Sequence, residues 1–123
     1  MLQDRERTPE HSLTGGHVGE LRVLAIVVAY NSPAALHRNL ASLAAQSRQL
    51  DGVLIIDNSQ PDPLDLAGFG LPIMARTTVV RPGSNLGPAG GFALGLATFL
   101  EDRSFTHAWL MDDDCYPEAA ALG

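Results

Sequence analysis

Lysine is absent from the 123 residues, so eight arginines stand against fourteen acids and the net charge is −6. A chain of that sign is a poor nucleic-acid binder, because affinity for a phosphate backbone comes from basic side chains that displace counterions. Any phosphorylated ligand held here needs a metal cation to share its charge. Cysteine is nearly absent as well: Cys115 alone excludes an internal disulfide and a zinc–cysteine cluster, and it fits a reducing compartment. With no lysine and no clearly placed histidine to generate a thiolate, Cys115 is not read as a nucleophile. Long apolar runs are missing too. The longest, residues 23–29, falls far short of the roughly 18 residues of a membrane span, and the polar first twenty residues carry no signal-peptide core. The expected location is cytoplasmic, with peripheral association at the inner face of the membrane left open.

What is present suffices for one small folded domain, since 46% of the residues are apolar. Residues 1–20, with Asp4-Arg5-Glu6-Arg7, Gly15-Gly16, His11 and His17, show no periodicity and read as a flexible leader whose histidines are solvated. Residues 21–29 form a near-continuous run rich in β-branched side chains, the pattern of a parallel strand buried on both faces. Ser32-Pro33 is a helix entry, and Leu36, Leu40, Leu43 and Ala44 predict an amphipathic helix over 34–46. A second buried strand is predicted at 52–56, a proline- and glycine-rich connection at 61–72 and a short strand at 77–80. A helix over 92–101, a strand at 106–111 and the start of another helix at 117–122 complete the pattern. Gly95, inside a predicted helix, costs roughly 1 kcal/mol relative to alanine and signals close approach by another element. Alternating strands and helices predict an α/β fold with a parallel sheet, right-handed crossovers and strand order 3-2-1-4. In such sheets ligands bind outside the carboxyl ends, where the winding reverses.

Asp112-Asp113-Asp114 stands at the predicted end of the fourth strand. Carboxylates this close repel one another, and without a cation at least one has a raised pKa. In an extended segment Asp112 and Asp114 point to one side and Asp113 to the other. That suits a hard divalent cation, which takes oxygen ligands from one or two carboxylates plus phosphate. Read alone, the triplet fits a solvated acidic turn as well. The stretch 81–91 likewise fits an ordinary helix-entry loop, having neither GxGxxG order nor a P-loop. Order 3-2-1-4 nevertheless brings Ala29-Tyr30-Asn31, Asp57-Asn58-Ser59, the glycine stretch and the aspartates to one edge. There a pyrophosphate would lie over a helix N-terminus, with a cation on Asp112 and Asp114, and the convergence favours the metal reading.

Val27-Val28-Ala29-Tyr30-Asn31, Ile55-Ile56-Asp57-Asn58-Ser59, Asn85-Leu86-Gly87-Pro88-Ala89-Gly90-Gly91-Phe92 and Trp109-Leu110-Met111-Asp112-Asp113-Asp114, in this order, resemble the N-terminal half of a family-two glycosyltransferase with the GT-A fold. The resemblance covers about residues 21–122. The triple aspartate with Asn-x-Gly-x-x-Gly-Gly is similar to bacterial enzymes that transfer galactofuranose or rhamnose to cell-wall glycans. It implies inverting transfer from a nucleotide-sugar donor, UDP- or dTDP-linked, to a glycan or glycolipid acceptor. It further implies that Ala29, Tyr30, Asn31 and Asp57 line the nucleoside pocket, and that Asn85, Gly90 and Gly91 pack against the sugar diphosphate with help from Arg81. Asp112 and Asp114 would bind Mn²⁺ or Mg²⁺, with Asp113 on the nucleotide side.

Members of the resembled family carry the acceptor site, the catalytic carboxylate and often a metal-ligating histidine in a further domain half. The base is therefore expected beyond Gly123, and residues 21–123 are expected to be a donor-binding half with little transferase activity alone. The main competing reading is a catalytically inactive nucleotide-binding module or regulatory fragment. A receiver domain would need a lysine near its site. A sugar-nucleotide pyrophosphorylase would carry a glycine- and arginine-rich loop where Tyr30-Asn31-Ser32-Pro33 stands.

Overall fold

The apolar run at 23–29 becomes strand β1 (Val23–Ala29), with every residue buried. The computed structural model describes residues 20–123, so the predicted leader up to residue 19, His11 and His17 included, lies outside the described residues. β1 pairs in parallel with β2 (Gly52–Asp57) on one side and β4 (His107–Asp112) on the other. β2 pairs in parallel with β3 (Thr77–Val80), which gives the expected order β3-β2-β1-β4.

Helix α1 (Pro33–Ala44) and helix α2 (Gly87–Glu101) explain why β1 has no polar position. Val23, Ala25, Val27 and Ala29 join Leu36, Leu40 and Leu43 of α1 in one core. Leu24, Ile26 and Val28 join Phe99 of α2 in the other. A central strand covered on both faces leaves no side for water, so period-two alternation gives way to an unbroken apolar run. α1 starts where expected, with the Ser32 hydroxyl accepting from the Ala35 N–H at 3.3 Å and Pro33 in its first turn. Gly95 meets the close approach that its position signalled: a Cβ there would lie 2.5 Å from Ile26 Cγ2 of β1.

Three boundaries differ from expectation. α2 begins at Gly87 rather than near 92, so the glycine stretch is mostly the first turns of the helix, with Pro88 placed where its missing N–H costs nothing. A short 3-10 helix, Pro72–Arg76, occupies part of the predicted connection. No helix forms at 117–122; the segment is irregular apart from a turn at 119–120. The Glu118 carbonyl accepts from Gln46 Nε2 at 2.7 Å and the Ala119 carbonyl from the Ser47 N–H at 2.7 Å, so α1 and its exit hold the backbone that a helix would have used. Among the described residues no helix is long and apolar enough to cross a membrane.

Candidate functional site

Register places the polar segments at one edge. Ala29 is opposite Asp57 and Val28 is opposite Asp112, so the ends of β1, β2 and β4 lie side by side. α2 presents its N-terminus near the same edge: a Cβ on Gly91 would lie 2.8 Å from Val28 Cγ1 and 3.2 Å from Asn58 Nδ2.

The three aspartates do not continue the strand as expected. β4 ends at Asp112, and the Cys115 N–H donates back to the Asp112 carbonyl at 3.1 Å, closing a tight turn over the triplet. Asp113 is still set apart from its neighbours, for a different reason. Its N–H donates to Val28 O at 3.1 Å and its carboxylate accepts from the Tyr30 N–H at 3.0 Å, so it ties the turn to the end of β1. Asp112 and Asp114 are exposed, whereas Asp113 is partly buried.

Burial raises the Asp113 carboxyl above the ordinary aspartate range, and the charges of Asp114 and Asp112 push the same way against the hydrogen bond from Tyr30. A group whose native pKa is raised costs stability while it is ionised, and that cost vanishes as pH falls through the native pKa. Asp113→Asn keeps an oxygen for the Tyr30 N–H and removes the charge. It is expected to raise the Tm of the metal-free protein at neutral pH, with the gain shrinking on acidification; thermal melts at several pH values check this.

No ion pair reaches Asp112 or Asp114 from any described residue; Arg48–Asp51 and Arg81–Asp57 are the ion pairs between described residues. Uncompensated, exposed hard oxygen donors fit a Mg²⁺- or Mn²⁺-type ion. Among the described residues, however, no group of three or more His, Cys, Asp or Glu side chains is arranged to hold a metal. An ion held by Asp112 and Asp114 would need its other ligands from phosphate, water or further protein groups.

The residues expected at the nucleotide divide into exposed groups and groups engaged within the chain. Tyr30 is 49% exposed. Asn31 adopts φ +52°, a left-handed conformation that asparagine tolerates better than most residues. Its Nδ2 donates to Gln60 O at 2.9 Å, its Oδ1 accepts from the Gln60 N–H at 2.9 Å, and its own N–H donates to Ser59 Oγ at 2.8 Å. Asp57 is 4% exposed and turned inward. One carboxylate oxygen accepts from Ser59 N–H (3.0 Å); the other accepts from Leu64 N–H (2.8 Å) and Arg81 Nε (3.3 Å). Burial alone would raise this carboxyl, but these donors hold it below the ordinary value. Arg81 also donates to Leu64 O at 2.8 Å, so Asp57 and Arg81 together shape the loop 58–64.

Asn85 and the glycines form the helix entry. Asn85 Oδ1 accepts from the Gly87 N–H at 2.9 Å, and a Cβ on Gly90 would lie 2.8 Å from Leu86 Cβ. Asn58 is the site residue that sequence reading did not single out. It is 2% exposed, and its N–H donates to Ala29 O at 2.8 Å. Its side chain accepts from Leu86 N–H at 3.3 Å and donates to Gly87 O at 3.0 Å, joining β1, β2 and the entry of α2. The signal was its place directly after an apolar strand. Of the donors that a helix start leaves unpaired, Leu86 and Gly87 are thus met by asparagines and Pro88 has none, which leaves Ala89. No acid lies in the first turn of α2 to compete with an anion there.

This chain is similar in sequence to known proteins. A galactofuranosyltransferase, GlfT1, of Mycobacterium tuberculosis (strain H37Rv) is 37% identical over 102 residues, 81% of this chain and 33% of the relative. GlfT1 of Mycolicibacterium smegmatis is 33% identical over 95 residues, 77% of this chain and 30% of the relative. The succinoglycan biosynthesis protein ExoW of Rhizobium meliloti is 37% identical over 97 residues, 76% of this chain and 30% of the relative. The chain thus spans about a third of the length of these curated relatives. The pattern of glycosyl transferase family 2 matches residues 24–123, from the second residue of β1 through the aspartate turn to Gly123, and the chain belongs to that family.

Proposed function

We propose that the chain is the donor-binding part of an inverting glycosyltransferase that takes a nucleoside-diphosphate sugar, UDP- or dTDP-linked, with a divalent cation on Asp112 and Asp114. The observation that carries this is the exposed pair Asp112 and Asp114, ion-paired with no described residue, on a turn bonded to the end of β1 at the edge that receives the N-terminus of α2. Tyr30 and Asn31 border the nucleoside, backed by the buried Ala29 at the end of β1, with Asp57 and Arg81 acting through the 58–64 loop. Asn85, Gly90 and Gly91 build the helix entry that receives the diphosphate: Asn85 caps the Gly87 N–H, and the two glycines let the entry close on Leu86, Val28 and Asn58. Asp113 holds the turn against β1 on the nucleotide side.

When bound, Mn²⁺ or Mg²⁺ would supply Lewis-acid stabilisation of charge on the leaving diphosphate. The name of GlfT1 favours galactofuranose as the donor sugar; the acceptor in this reading is a glycan or glycolipid, met at the inner face of the membrane. The base that deprotonates the acceptor hydroxyl is assigned to protein outside this third of the relatives' length. Calorimetric titration with UDP is expected to give at least about tenfold tighter binding with Mn²⁺ than without, about 1.4 kcal/mol. Equal affinity in both conditions, or no binding by a demonstrably folded sample, would sink the metal-bridged reading.

A further inference from the structure

Asn39 interrupts the apolar face of α1. It is 0% exposed and buried with Leu36, Leu40 and Leu43 on that face. Its Nδ2 donates to Cys115 O at 2.7 Å and lies 3.3 Å from Met111 Sδ. Its Oδ1 is buried with no hydrogen-bond partner. A buried acceptor without a donor costs free energy, and an apolar side chain of similar size would remove that cost. The amide is therefore an expensive choice for packing, and its contacts indicate what it is for. Met111 is the residue before the aspartate triplet and Cys115 the residue after it.

We propose that Asn39 is a positioning residue for the aspartate turn: a single buried amide grips the chain on both sides of Asp112-Asp113-Asp114 and fixes the direction in which the outer carboxylates point. The inference rests on the reading of Asp112 and Asp114 as cation ligands. Cys115 is held at both ends, its N–H by Asp112 O and its carbonyl by Asn39. Asp114 is joined directly to that fixed residue, which leaves mainly side-chain torsions free. Groups that orient metal ligands without touching the metal strongly affect affinity. Gln46 holds the chain further out, with Nε2 donating to Glu118 O at 2.7 Å and Oε1 accepting from Leu122 N–H at 3.0 Å. It reaches neither flank of the triplet, so its effect on the turn is smaller.

The test uses the whole chain, Mn²⁺ in the presence of UDP followed by electron paramagnetic resonance, and hydrogen exchange at the Cys115 amide without metal. Asn39→Leu is expected to weaken Mn²⁺ binding about tenfold or more and to speed Cys115 exchange, while Tm stays near the wild-type value. Gln46→Leu is expected to change Mn²⁺ affinity far less. Asn39→Ala, which also lacks the unpaired acceptor, carries the same two expectations should the leucine variant not fold. Wild-type Mn²⁺ affinity and Cys115 exchange in a folded variant would overturn the proposal. So would failure of both variants to fold, which would make Asn39 a residue of stability. A wild-type chain that takes up no Mn²⁺ overturns the metal reading, and Cys115 exchange then decides by itself whether Asn39 holds the turn.

Discussion

Asp112→Ala and Asp114→Ala are each expected to abolish the Mn²⁺ enhancement of UDP binding, bringing affinity in Mn²⁺ down to the metal-free level, a loss of about tenfold or more. Both carboxylates are exposed and receive no ion pair from the described residues, so their removal disturbs no internal contact that would confuse the result. With two carboxylates offered to the ion, the loss of either halves the protein's share of the ligands and leaves the rest to phosphate and water. Asp113→Ala is expected to behave differently. It deletes the acceptor for the Tyr30 N–H but also removes a carboxylate whose charge burial and the neighbouring aspartates disfavour, so most of the metal dependence should survive. Calorimetry of the three variants with and without Mn²⁺ decides the matter. If Asp113 proved the most sensitive of the three, the turn would present its carboxylates differently from the arrangement described above.

The second large effect is on stability. Asp57→Ala is expected to cost about 3 kcal/mol in denaturant unfolding, because it strands donors that a buried carboxylate had satisfied. The Ser59 and Leu64 N–H groups and Arg81 Nε all lose their acceptor. The pH dependence follows from the lowered native pKa. Unfolded, this aspartate titrates near 3.8. Its stabilising contribution is complete above that value and is lost as pH falls through the still lower native pKa. Wild-type protein should therefore lose stability below about pH 4 more steeply than Asp57→Asn. The damage should also reach the site, since Ser59 and Gln60 of the same loop hold Asn31 in its left-handed conformation.

The fold was largely legible because its determinants are local and periodic. Leu36, Leu40 and Leu43 fall on one helical face whatever they pack against, and residues 23–29 are apolar throughout because each has an apolar neighbour on one side or the other of the sheet. Gly95 announced a close contact, and Ile26 is the contact. Where local signals competed, the reading slipped. Glycines at 87, 90 and 91 argued for a loop, but Asn58 and Asn85 satisfy the first N–H groups and let α2 begin at Gly87. Alanines at 119–121 argued for a helix, but Gln46 and Ser47 take the carbonyls that it would need.

The candidate site was legible as a set of segments and much less so as a geometry. Asp112 and Asp114 were matched as a pair because alternation along an extended chain put them on one side. The pair is exposed instead because a turn closes over the triplet and Asp113 swings to Tyr30, 83 residues earlier in the chain. Asp57 was named for the nucleoside, yet both of its oxygens are engaged in holding the loop beside the site. Nothing in the spacing of Asn39 distinguished it from a tolerated polar residue on a helix, because its partners stand 72 and 76 residues away.

By itself the sequence determined the α/β alternation, the strand order, the edge at which polar residues gather and the membership of a glycosyl transferase family. These follow from the period of apolar residues and from the few ways in which parallel strands can be connected. Only the tertiary structure decided which of the polar residues face outward and which are occupied in holding the others. Burial and hydrogen bonding between distant segments settle that division, and neither is a property of any stretch of chain taken alone.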